Sequence, residues 1–261
     1  MFTALDLAQD NYAAALDQAV TILQRRDDPE AFFSASWSWR ILGLCKLLAE
    51  ADVQAFADYL ARAAQARLEF LGKVREGLPC NPEYVCASKN LSFTGALAAG
   101  DLKTAREIAL LSPTSHFPAV EYEDDFLYFH LLHRLSIAPN DTAGHAAILA
   151  RWLEVREGDE SGALVACRGI VARTPQDFTA GFASFIAKRQ EGLAQYRESP
   201  SFNEKLFAAE GQIYVEALAL LRLAELRGLP TEPEYPLVPA IARVPVMENP
   251  PARNAWRALP A

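Results

Sequence analysis

Apolar residues recur every three or four positions along most of this chain, which is the period of a helix packed on one face. Residues 3–25 run without Gly or Pro and carry Leu5, Ala8, Tyr12, Leu16, Ala19 and Leu23 at helical steps. "RRDDPE" then stops and restarts the chain, with Asp28 placed to cap, Pro29 at the first helical position and Glu30 in the first turn. The pattern predicts a second helix over 30–49 and a third over 52–76, closed by Gly77 and Pro79. "NPEY" repeats the start signal with Asn81 and Pro82, and a helix is expected to run on to Ala99. Gly100 ends it, and Asp101 caps "LKTAREIALL". Further helices are expected from the acidic stretch after Pro118 to about 137, from Thr142 to Glu157, and over "ALVACRGIVAR". Thr174 and Pro175 repeat the cap-plus-proline device, and Ser201 with Glu204 has capping-box spacing ahead of a helix that should end at Gly228.

No polar/apolar alternation of strand length interrupts this series. About ten helices with short connections predict an all-α fold of antiparallel hairpins, solenoid-like in its packing. "AAGDLKTAREIALLSP" and "REGDESGALVACRGIVARTP" both place Gly-Asp before an Ala-rich helix that ends at Pro, but their spacing is irregular, so true repeats are not expected. The character changes at Pro230, and from there to the end fall eight of the chain's 16 prolines. The expected division is a helical domain over 1–229 and an extended Pro-rich tail over 230–261. Leu237, Val238, Ile241, Val244 and Val246 should lay that tail against the helices.

Composition narrows the class. With 261 residues, 51% hydrophobic and 22% charged, the chain can bury a large core and is not of disordered type. Its 25 basic and 33 acidic residues leave a net charge of -8, which disfavours nucleic acid and anionic lipid and suits a basic partner. "MFTALDLAQDNYAAALDQ" has neither a basic stretch nor an unbroken apolar core, so no secretory signal is expected. No window predicts a membrane span. Cys45, Cys80, Cys86 and Cys167 have no zinc or redox spacing and read as reduced thiols of a cytoplasmic protein.

Candidate chemistry is sparse. The motifs of zincins, α/β-hydrolases, P-loop proteins and dinucleotide-binding proteins are absent from the sequence. The distinctive stretch is "EYEDDFLYFHLLHRL", Glu121 to Leu135. His130 and His133 share a helix face, but the residues one turn before them are Phe126, Leu127, Phe129 and His130, with no carboxylate. Glu123 lies seven residues before His130, about 10 Å along a helix axis, too far for one ion to bridge easily. No metal or cofactor is therefore assigned. Phe126, Phe129, Leu132 and His133 are expected in the core. Glu121, Glu123, Asp124 and Asp125 fall in the first turns of the expected helix, where negative charge is favourable. Four such acids exceed what one dipole needs. The surplus calls for cations, either from neighbouring helices or from a partner. Trp37 and Trp39, two apart, must face different ways, so at least one should be partly exposed.

The blocks "GALAAGDLKTAREIALLSP" and "EYEDDFLYFHLLHRL", roughly residues 95–135, resemble the immunity protein 49 family of bacterial polymorphic toxin systems. The resemblance implies a cytoplasmic, non-enzymatic, all-α protein that binds one cognate toxin. Toxins of such systems are often basic nucleases, and an acidic inhibitor would approach one by electrostatic steering. Charge and expected exposure make Glu121, Tyr122, Glu123, Asp124, Asp125 and Tyr128 the candidate partner contacts. Two rival readings stay open: a helical adaptor with a concave groove, and a metal-dependent enzyme using the histidine pair.

Overall fold

The computed structural model describes residues 3–260, and they form an all-helical protein with no strand among the described residues. Three long helices open the chain: α1 (Ala4–Leu23), α2 (Pro29–Glu50) and α3 (Val53–Arg75). They pack side by side through short turns, so neighbours run antiparallel. Asp28 caps α2 as expected, accepting from the Ala31 N–H at 3.1 Å, and Asp52 caps α3, accepting from the Ala55 N–H at 2.8 Å.

The expected helix over 81–99 is broken. Asn81 caps only the single turn α4 (Pro82–Val85), a 3₁₀ turn follows at Ala87–Lys89, and α5 spans Leu91–Ala99. Cys86 is extended at ψ 151. The reason for the break is tertiary. Asn90 is fully buried, and its side chain accepts from Arg67 Nε (3.3 Å) while donating to Ser112 Oγ (2.8 Å) and to His133 Nε2 (3.0 Å). A buried amide with three partners outweighs one turn of helix continuity.

Asp101 caps α6 (Leu102–Leu111), and Gly100 ends α5 at φ +77. A Cβ there would lie 2.4 Å from the Pro245 carbonyl oxygen, so the chain's final segment is in close contact with this turn. Next come α7 (Glu123–Ile137), α8 (Thr142–Val155), α9 (Gly162–Ala172) and α10 (Pro175–Arg197). The cap of α9 is Ser161, not Asp159, so the two Gly-Asp turns are not equivalent. The pair α9 and α10 is held at very short range. A Cβ on Gly181 would meet Ala166 N at 2.2 Å, and one on Gly169 would meet Phe178 N at 2.4 Å.

The expected last helix is also split, into α11 (Glu204–Glu210) and α12 (Val215–Leu226). Asn203, rather than Ser201, caps α11, accepting from the Leu206 N–H at 3.1 Å. Between the two helices, Ile213 turns inward and the Tyr214 N–H donates to the Leu237 carbonyl at 2.8 Å. Arg40 of α2 joins both pieces to the core, 2.8 Å from Glu210 and 3.3 Å from Glu216. Burial disfavours its charge, but the two carboxylates more than offset that and raise its pKa.

Beyond Gly228, Val238, Ala242, Val244 and Trp256 are buried, whereas Ile241 and Val246 are exposed, contrary to their expected inward role. Trp256 is fully buried. Its carbonyl accepts from Trp39 Nε1 (2.8 Å), and its own Nε1 donates to Glu69 Oε2 (3.0 Å). Of the two neighbouring tryptophans, Trp39 is buried and Trp37 is half-buried.

Candidate functional site

The acidic stretch begins in the turn before α7. Glu121 precedes the helix instead of lying in its first turn, and it is buried. Its Oε2 accepts from the Ser88 N–H (2.9 Å) and its Oε1 from the Phe117 N–H (3.2 Å). Its backbone carbonyl is 2.8 Å from His116 Nε2. Glu121 thus clasps the 3₁₀ turn at 87–89 to the segment leading into α7, and both carboxylate oxygens are occupied.

Tyr122 occupies the cap position of α7 without a capping hydrogen bond and is 79% exposed. Glu123, Asp124 and Asp125 follow in the first turn. The cations they need come from the end of α8, which lies beside the start of α7 because the two helices form a hairpin. Arg151 holds Glu123 with two bonds, Nε to Oε1 at 2.8 Å and Nη2 to Oε2 at 3.1 Å. The Arg151 hydrogen bond keeps the Glu123 carboxyl below its usual pKa. Arg156 Nη1 sits 3.3 Å from Asp124 Oδ2.

Asp125 has no salt bridge among the described residues. Its side chain retains solvent access, yet partial desolvation raises its pKa, and the nearby Asp124 and Glu121 carboxylates add to that effect. It borders a shallow depression of about 480 Å³ with Ser88, Lys89, Pro118, Glu121 and Tyr122. Tyr128, one turn further on, is inside the fold among Phe129, Trp152 and Phe185. Two of the six expected contacts, Glu121 and Tyr128, are therefore not on the surface. Two more are paired within the fold, and Tyr122 with Asp125 form the exposed pair.

The histidines separate. His133 is buried edge-on against Phe93, with Nε2 facing the Asn90 amide, and burial followed by the His130 and Arg67 charges pushes its pKa down to about 3. His130 stacks on Phe126 at 5.2 Å, and burial lowers its pKa too. Among the described residues no three His, Cys, Asp or Glu side chains converge as metal ligands, and no helix is long and apolar enough to cross a membrane. The four cysteines are free.

Sequence reasoning missed Arg151 and Arg156 as the partners of the acidic turn. They lie 28 and 32 residues downstream, and nothing local marks them. It also missed a basic-rimmed groove around α6. The signal available for it was Lys103, a cation in the first turn of a helix against its dipole. Comparison with family models, with curated proteins and with solved structures finds no match.

Proposed function

We propose that this chain is an immunity protein that binds and neutralises a cognate bacterial toxin by stoichiometric inhibition, with the exposed start of α7 as its contact. The observation that carries the reading is Tyr122, 79% exposed on an acidic turn, beside an Asp125 carboxylate that has no cationic partner among the described residues. An amphipathic aromatic next to uncompensated charge is the composition of an interface anchor. The net charge of -8 supports a basic toxin as the partner. In this reading the protein is cytoplasmic and non-enzymatic. Its hairpins form a solenoid-like helical domain over 1–229, and the Pro-rich segment over 230–261 is its strap.

The test is co-expression with the product of the gene directly upstream, followed by binding measurements on purified proteins. Tyr122→Ala and Asp125→Lys should each weaken binding by about tenfold or more, while the melting temperature stays near that of the parent. The on-rate should fall as salt rises. Unchanged binding by the folded variants overturns the contact assignment. Binding without protection of toxin-expressing cells favours the adaptor reading instead.

A further inference from the structure

A second surface has the opposite electrostatic character. The last turns of α5, α7, α9 and α12 converge on α6 and leave a groove of about 850 Å³. Its apolar lining includes Leu102, Leu110, Leu135, Ile170, Leu223 and Leu226. Leu110 and Leu226 are 57% and 52% exposed, among the most exposed large apolar side chains of the fold after Tyr122. The rim carries Lys103, Arg106, Arg173 and Arg227. None of these four has a carboxylate partner among the described residues. The single acid on the rim, Glu107, is already held by Arg253 at 3.0 Å.

Helix dipoles do not account for the four cations. Arg173 and Arg227 do cap C-termini, where positive charge is favoured. Lys103, however, sits in the first turn of α6, where it is disfavoured, and Arg106 lies mid-helix, where neither pole favours it. Four C-terminal poles of about half a charge each would offset only half of the four full charges. Arg227 donates one bond to the Pro139 carbonyl, while its buried Nε has no partner among the described residues. Burial and then the nearby Arg173 charge lower its pKa, so the two guanidiniums repel across this end of the groove.

The groove also continues past α6. A second depression of about 470 Å³ shares Lys103, Glu107 and Leu110 with it and is lined further on by cations and acids of mixed sign, Lys73, Arg75 and Arg253 with Glu69 and Glu76. Leu110 stands between the two. A small ligand would fill one depression and leave that leucine in water, whereas a helix laid across both would cover it.

We infer that this groove is a docking surface for an acidic amphipathic helix of a partner protein, with the partner's leucine-type residues on the apolar floor and its carboxylates between the two pairs of cations. The cations come in two pairs from different elements, Lys103 and Arg106 on α6 and Arg173 and Arg227 at the ends of α9 and α12. That arrangement matches an apolar stripe flanked by acids on both sides. The surface suits a partner opposite in charge to the one expected at the start of α7, so the two sites would not compete for the same ligand.

The test uses the full chain and a fluorescent peptide of about 18 residues, roughly five turns long. It carries leucines at helical spacing with glutamates on both flanks. A second peptide replaces the glutamates with lysines. Anisotropy should show saturable binding of the glutamate peptide and at least about tenfold weaker binding of the lysine peptide. Leu110→Asp, Leu226→Glu, and Lys103→Glu with Arg106→Glu should each weaken the glutamate peptide about fivefold or more. These side chains are exposed, so circular dichroism and melting should stay those of the parent. Equal binding of the two peptides, no binding of either, or full binding by the folded variants overturns the inference. Saturable binding of dodecanoate without binding of the peptide also overturns it, in favour of a small amphiphile.

Discussion

Trp256→Ala should unfasten the C-terminal segment. The indole is fully buried against Phe32, 5.8 Å between ring centroids, and lies under the Arg257 guanidinium. Its Nε1 donates to Glu69 Oε2 at 3.0 Å across 187 residues of chain. Truncating a buried tryptophan costs about 3–5 kcal/mol through lost burial and the cavity left behind. The Glu69 carboxylate loses one donor but keeps Arg257, so the polar loss adds about 1 kcal/mol at most. Against a typical total of about 5–15 kcal/mol, this is a large fraction of the protein's stability. Urea unfolding followed by circular dichroism measures it. The unfolding free energy should drop by the amount given, and the midpoint by that amount divided by the slope. If the segment peels away in the variant, the native state already exposes more surface and the slope falls as well. Ile241→Ala, on the same segment but 46% exposed, is the control and should stay within about 0.5 kcal/mol of the parent. A loss under about 1 kcal/mol for Trp256→Ala would refute the idea that this residue anchors the segment.

The buried His133 gives a pH signature. The unfolded chain takes its proton near 6.5 and the folded chain only near 3, so this contribution is complete above pH 6.5 and is lost as pH falls towards 3. Between pH 7 and 4.5 the loss should be on the order of 2–3 kcal/mol, measured as the difference between parent and His133→Gln; parallel pH profiles would contradict it. Glu121→Gln puts an amide NH₂ where one oxygen now accepts a backbone N–H, from Ser88 or Phe117, and should cost about 1–3 kcal/mol. Retention of the parent's melting temperature would show that the clasp contributes little. Gly181→Ala drives a Cβ to 2.2 Å from the Ala166 backbone nitrogen and should destabilise by about 3 kcal/mol as α9 and α10 separate. A neutral outcome in urea unfolding would mean that the helices slide apart freely.

The acidic stretch shows where local reasoning stops. The helix under it and the inward placement of Phe126, Phe129, Leu132 and His133 follow from spacing along the chain. Whether its acids are free does not. Glu123 and Asp124 look alike in sequence to Asp125, yet two of the three meet arginines at the end of α8 and the third meets none among the described residues. The break at Cys86 has the same origin, since it depends on Arg67, Ser112 and His133 meeting around Asn90.

What the amino-acid order determines by itself is the helical class and most helix starts. Asp28 with Pro29, Asp52 and Asp101 each cap a backbone N–H three residues on, and amphipathic spacing repeats every three or four. Those interactions are local, so a window of a few residues contains them whole. The tertiary structure alone decided that Glu121 and Tyr128 are buried, that Trp256 is an anchor, and that Leu110 and Leu226 stand in a groove rimmed by cations without a carboxylate partner among the described residues. Each of those facts is set by side chains from distant helices, which desolvate, pair or leave bare a residue whose own sequence neighbours are silent on the matter.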